Sequence, residues 1–268
     1  MVDIEWSVED GVGTILLNRP EAKNAFTSDV LTEWARMLTA AEHDDAVRAL
    51  VVTGAGDAFC AGADIKRLSR DVVHGADAEA PVALAAKQSL QRVVHQVAHA
   101  MEALSKPVVA AVNGPAVGAG MDMALMCDFR FASTTARFSE AYIRVGLVPG
   151  NGGCWYLPRI VGVEKALELL LTGDFVDADD ALRIGLVSRV VAPEQLRAEA
   201  QDFAARLAAM PPVHVRLIKT NVYASTRLDL RASLELSASH MGIVRTLADS
   251  AEAMTAFRER RRGEFHGA

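Results

Sequence analysis

Phe59-Cys60-Ala61-Gly62-Ala63-Asp64-Ile65 and, further along, Asn113-Gly114-Pro115-Ala116-Val117-Gly118-Ala119-Gly120-Met121-Asp122 are the two stretches on which the reading of this chain turns. Each joins an apolar run of strand character to a turn of small residues, and a helical pattern follows. Such a turn can aim a backbone N–H outward. Two N–H groups converging on one oxygen form an oxyanion hole, a device for holding a carbonyl on which negative charge develops.

Outward from these turns the pattern alternates. Ile4 to Val8 and Val12 to Leu17 read as strands joined at Glu9-Asp10-Gly11, a hairpin signal. Ser28 to Glu42 has apolar residues at helical spacing, with Thr27 or Ser28 as N-cap. A strand is expected over Ala49 to Thr53, a loop from Gly54 to Gly62 and a long helix from Val82 to Leu104. The cycle restarts with a strand at Val108 to Val112, a helix from Gly120 to Met126 and a strand at Phe129 to Ala132. Strands and helices recurring in this order predict an α/β architecture of repeated ββα turns. From about Pro193 the pattern is all helical: Glu194 to Met210, His214 to Ala224, Leu228 to Thr246 and Ser250 to Arg262, with Pro211-Pro212 breaking the first from the second. We therefore expect a core over 1–195 and a helical C-terminal subdomain over 196–268. Asp71 to Pro81 reads as a connecting loop, either a plain surface link or a lid.

Composition narrows the function classes. The 268 residues are 51% hydrophobic, enough to bury a large core, and the formal net charge is -6. Nucleic-acid binding needs a clustered basic face, whereas the one basic run, Arg258-Glu259-Arg260-Arg261-Arg262, is short and interrupted. It reads as a solvated helix end or as a patch facing phosphates. Cys60, Cys127 and Cys154 are odd in number and far apart, which indicates neither a disulfide framework nor a zinc site. His95 and His99 share one helix face but lack an evident third metal ligand. The start of the chain is acidic and no apolar run is long enough to span a bilayer, so the expectation is a cytoplasmic protein without a membrane partner. The patterns of a P-loop, a zinc protease and a nucleophile elbow are missing from the sequence. Gly54-Ala55-Gly56 only loosely resembles a dinucleotide turn.

The two small-residue turns, with Phe138-Ser139-Glu140, Gly146-Leu147-Val148-Pro149-Gly150-Asn151-Gly152-Gly153, Leu157-Pro158-Arg159 and Leu169-Leu170-Leu171-Thr172-Gly173, resemble the enoyl-CoA hydratase/isomerase (crotonase) superfamily. The resemblance runs from Arg19-Pro20 to the last helix. It implies a crotonase-like spiral of ββα units, an acyl-CoA thioester substrate, no metal or redox cofactor, and a homotrimer or homohexamer packed through the helical tail.

Site residues follow by motif. The oxyanion donors are expected at the N–H groups of Ala61 and Ala119, and Asp122 as the acid/base group. Asp122 lies one turn beyond Ala119, and helical side chains lean toward the preceding turn. An otherwise apolar setting would raise its pKa. Hydratases of the family carry two glutamates; here the first position holds Asp122 and the second Tyr142, with Glu140 two residues away. Tyr142 is expected to donate a hydrogen bond or to line the acyl pocket. The resemblance places the substrate against Ala22, Lys23, Ala25, Gly62, Ala63, Asp64, Ile65, Lys66 and Gly118, with Lys23 and Lys66 as point charges for phosphates. Hydration of a 2-enoyl-CoA is the leading expectation. Double-bond isomerisation, which needs one base, is its rival, and a non-catalytic subunit that binds CoA thioesters is the alternative from another class.

Overall fold

A computed structural model describes residues 3–64 and 81–268. Asp10 and Gly11, both at positive φ, close the hairpin between β1 (Ile4–Glu9) and β2 (Val12–Leu17) in the register Glu9↔Val12. The remaining strands of the main sheet, β3 (Ala49–Gly54), β4 (Val108–Val112), β6 (Phe129–Ser133) and β9 (Arg189–Val191), all run parallel to one another and to β2, giving the order β1-β2-β3-β4-β6-β9. Every residue of β3 and β4 is buried, as expected of a parallel sheet covered on both faces.

Side-chain alternation splits those strands between two cores. Leu50, Val52, Val108, Ala110 and Val112 face one side, where α1 (Ser28–His43) packs through Trp34 and Leu38. Ala49, Val51, Val109 and Ala111 face the other, which the helix Pro193–Ala208 seals with Leu196, Ala200, Ala204 and Ala208. Residues 195 and 196, on either side of the expected boundary, lie inside this helix. Beyond it come helices Pro212–Ser225, Leu230–Val244 and Ala248–Glu259, close to the expected spans. Among the described residues no helix is long and apolar enough to cross a membrane.

Thr27 is the N-cap of α1, its Oγ1 accepting the Val30 N–H at 3.2 Å. The helix expected over Val82 to Leu104 is interrupted: α-helical turns at Pro81–Ser89 and His95–Ala103 flank a wider π-turn at Leu90–Val94. Leu90 and His95 from this turn meet one backbone position, Gly150. The Leu90 side chain lies beside its Cα, and the His95 ring is 2.9 Å from its carbonyl. Most of the expected 71–81 loop lies outside the described residues.

A second sheet is smaller. It comprises β5 (Ala116–Val117), β7 (Arg137–Ser139) and β8 (Val176–Asp177). A bridge between Cys60 and Ala116 draws the first small-residue turn onto β5. The helix that follows β5, Ala119–Leu125, is buried along its whole length.

Candidate active site

The two turns press against each other closely enough that glycine is required. A Cβ on Gly120 would lie 2.1 Å from the Cys60 carbonyl oxygen, and one on Gly62 would lie 2.7 Å from the Val117 oxygen and 3.3 Å from the Ala119 nitrogen. The nitrogen of Ala119 therefore stands beside the Gly62–Ala63 backbone. Ala119 is the first residue of its helix, after Gly118 at φ 50, and a first-turn N–H has no partner within the helix. Gly118 itself donates to the Ser139 carbonyl at 2.7 Å.

The other donor is not where the motif suggested. Ala61 N–H is bound to the Lys23 carbonyl at 2.9 Å and faces away from Ala119. The shift has a backbone cause. Cys60 directs its N–H and C=O at Pro115 and Val117, Ala61 turns to the opposite side, and Gly62, at φ +90, breaks the alternation. Phe26 N–H then bonds to the Gly62 carbonyl, and Asp64 N–H to the Phe26 carbonyl. Ala63, between them, must point its own N–H away from Phe26, toward the Ala119 side. Among the described residues neither Ala63 N–H nor Ala119 N–H has an acceptor.

Asp122, in the first turn of the same helix, is fully buried. Tyr142 Oη–H donates to its Oδ2, and Tyr142 is in turn oriented by the Gly150 N–H. The Asn151 N–H also bears on the Asp122 carboxylate. Burial drives the Asp122 pKa up, and these donors together with Glu140 work against the rise. Tyr142 is pushed well above the usual phenol range, first by burial and then by the Asp122 charge, so its hydroxyl stays a donor.

Glu140 is also fully buried and faces Asp122, although its place in the sequence gave it little weight. Gly153 is what admits both groups: a Cβ there would lie 2.4 Å from Asp122 Oδ1 and 3.1 and 3.2 Å from the Glu140 oxygens. Gly153 also opens the helix Gly153–Val161, so both carboxyls lie against the positive end of that helix. The Gly152-Gly153 pair was the one sequence signal of such a close approach.

The turn that carries the expected Ala22, Lys23 and Ala25 lies against the first small-residue turn, its Lys23 carbonyl accepting the Ala61 N–H. Lys23, in left-handed conformation, pairs its Nζ with Asp57 at 2.6 Å on the surface. Ala22 and Ala25 belong to the same turn, and Ala25 accepts from Arg19 at 2.6 Å. Asp64 lies 3.9 Å from Arg19. Ile65 and Lys66 lie outside the described residues. In the basic tail Arg261 is bound by Glu252 and Glu259.

The model of the enoyl-CoA hydratase/isomerase family matches residues 7–268. The chain is 38% identical to a crotonyl-CoA hydratase of Syntrophomonas wolfei over 96% of its own length and 95% of the relative's. It is 36% identical to a 1,2-epoxyphenylacetyl-CoA isomerase of Escherichia coli, covering 97% of each. The crystal structure of an enoyl-CoA hydratase from Bacillus anthracis superposes with a TM-score of 0.91 at 31% identity, over 99% of this chain and all of that one. With such a fold, and with two opposed backbone donors beside a buried carboxylate, this chain belongs to the enoyl-CoA hydratase/isomerase family.

Proposed function

We propose that the protein adds water across the double bond of a 2-enoyl-CoA thioester, with Ala63 and Ala119 as the oxyanion donors and Asp122 as the base. The observation that carries this reading is the approach of Gly62–Ala63 to the Ala119 nitrogen, with Asp122 one turn further along the same helix. Asp122 takes a proton from water as the oxygen joins C3. The electron pair of the double bond passes through C2 to the thioester oxygen, where the two N–H groups hold it. Asp122 then returns the proton to C2 and is ionised again. Donors preset for the enolate stabilise it more than they stabilise the substrate. One carboxylate suffices, because it receives and returns the same proton, and Tyr142 acts on it as an orienting donor. The chemistry uses only groups of the chain.

Isomerisation is the second reading, favoured by the presence of Tyr142 where hydratases of the family carry a second glutamate. The same base would carry a proton between C2 and C4 without adding water. For CoA, the Lys23–Asp57 pair supports a phosphate contact: exposed pairs of this kind are weak, so Lys23 can exchange Asp57 for an anion. We also read the apolar stripe Val163, Leu167 and Leu171, exposed beside Ile143, Val145 and Val148, as a surface for other copies of the chain in a trimer or hexamer.

Mass spectrometry in heavy water, with a 2-enoyl-CoA and a 3-enoyl-CoA offered separately, distinguishes the readings. Hydration predicts water added to the 2-enoyl substrate and lost in Asp122→Asn. Double-bond migration with deuterium uptake and no added water would make the protein an isomerase. Binding without turnover of either would make it a CoA-thioester-binding subunit.

A further inference from the structure

Two carboxyl groups that meet in a fully buried place cannot both be charged, and the surroundings here decide which one keeps the proton. Asp122 receives the Tyr142 hydroxyl and the Asn151 N–H, both of which favour its anion. Glu140 has no such support: among the described residues both of its oxygens, and Asp122 Oδ1, are buried without a partner beyond the pair. Among the described residues the other titratable groups that bear on the pair are Tyr142, Cys154 and Tyr156, none of them a cation. Both carboxyls share the positive end of the helix that opens at Gly153, so a negative Glu140 would add a second charge beside Asp122 with no hydrogen-bond donor of its own among the described residues.

We propose that Glu140 is a positioning residue that stays protonated at neutral pH and donates its O–H to Asp122, so that the two carboxyls form one singly charged pair. The proton remains on Glu140 throughout turnover, while Asp122 takes up and releases the proton of the attacking water. The donated hydrogen bond joins those from Tyr142 and Asn151 in holding one Asp122 rotamer beneath the oxyanion donors. Burial and the Asp122 charge both raise the Glu140 pKa, in agreement with this placement. Only what the pair does in catalysis rests on the hydratase reading; where the proton sits does not.

Infrared difference spectra of the substrate-free protein at pH 8, wild type minus Glu140→Gln, test the inference. The carbonyl stretch of a protonated carboxylic acid should be present in the wild type and lost in the variant. Its absence from the wild type, or its persistence in Glu140→Gln, would overturn the assignment. A second readout is the pH profile of kcat. The wild type should lose activity at alkaline pH as Glu140 ionises beside Asp122, and Glu140→Gln, whose amide can donate but cannot ionise, should lack that fall. Glu140→Leu, which removes the donor, should move the acid limb to higher pH. Superimposable profiles for the wild type and Glu140→Gln would contradict the proposal. A protein that shows the band yet adds no water to any enoyl-CoA would leave this inference standing and remove the hydratase reading.

Discussion

In the proposed reaction Asp122 is the base, and its setting makes its contribution measurable. Asp122→Asn keeps the size and loses the base, so kcat should fall by about 10²–10⁴ while thioester affinity, measured by calorimetry, is retained; turnover within tenfold of the wild type would remove Asp122 from the mechanism. Its pKa is pushed up to about 6, so activity should decline as pH falls through that value and the base is protonated. Tyr142 donates to the charged form, which lowers the pKa. Tyr142→Phe should therefore shift the acid limb of the kcat profile upward, and an unmoved limb would leave Tyr142 as pocket lining. Stability runs the other way from activity. Glu140 has a higher pKa folded than unfolded, so it binds more protons in the folded state and costs stability as pH rises above about 4. Glu140→Gln should melt several degrees above the wild type at pH 8, with the gain vanishing near pH 4. Asp122 stands out in the sequence as a candidate because a carboxylate in an apolar helix one turn past a small-residue turn has few other uses. Glu140 was not legible, because its approach to Asp122 depends on what Gly153 lacks, and that is a fact of three-dimensional packing.

At the scale of elements, the site is made where strand ends meet helix starts. The central strands could be read as short, wholly apolar runs, and α1 and the helix Pro193–Ala208 from periodicity, since each of these two helices buries a face of regular spacing. The donor proposed at Ala63 could not. Its direction depends on the phase of the backbone after Gly62, and a motif that supplies alanine at both 61 and 63 does not state that phase. The π-turn at Leu90–Val94 was equally hidden, because one extra residue in a turn leaves an apolar pattern nearly unchanged. Gly120 is the sharpest test at this scale. With the Cys60 carbonyl 2.1 Å from where a Cβ would go, Gly120→Ala must push the two turns apart. Overpacking of this kind costs about 1–3 kcal/mol, and the widened gap should cut kcat/KM by more than the loss of stability accounts for. A variant with wild-type kcat/KM would show that the spacing of the turns does not matter to the chemistry.

For the molecule as a whole, apolar side chains remain uncovered on surfaces distant from the pocket. Val163 is 67% and Leu171 67% exposed on one helix face, and Leu230 75% and Phe257 82% exposed on the tail helices. Exposed apolar side chains of this kind are the reason we propose that other copies of the chain pack there. Light scattering after size exclusion should give a mass of three or six chains, and Leu167→Asp with Leu171→Asp should lower it; a monomeric wild type would contradict the assignment. Family and fold were legible over nearly the whole length because the signature segments lie at the junctions that define the spiral. The surfaces were not, because an exposed apolar residue and a buried one follow the same helical spacing.

The convergence of two backbone N–H groups on one carbonyl is the centre of this account, and a proline can remove one of them. Ala119 is the first residue of its helix, where the backbone accepts proline; the ring removes the N–H and sets its Cδ in that place. The carbonyl stretch of a bound saturated acyl-CoA, labelled with carbon-13 at the thioester, should be measured in the wild type and in Ala119→Pro. We predict a stretch well below its value in water for the wild type, a smaller shift in the variant, and kcat lower by about 10²–10³. The same carbonyl frequency in both proteins, with catalysis intact, would contradict the oxyanion hole at Ala63 and Ala119.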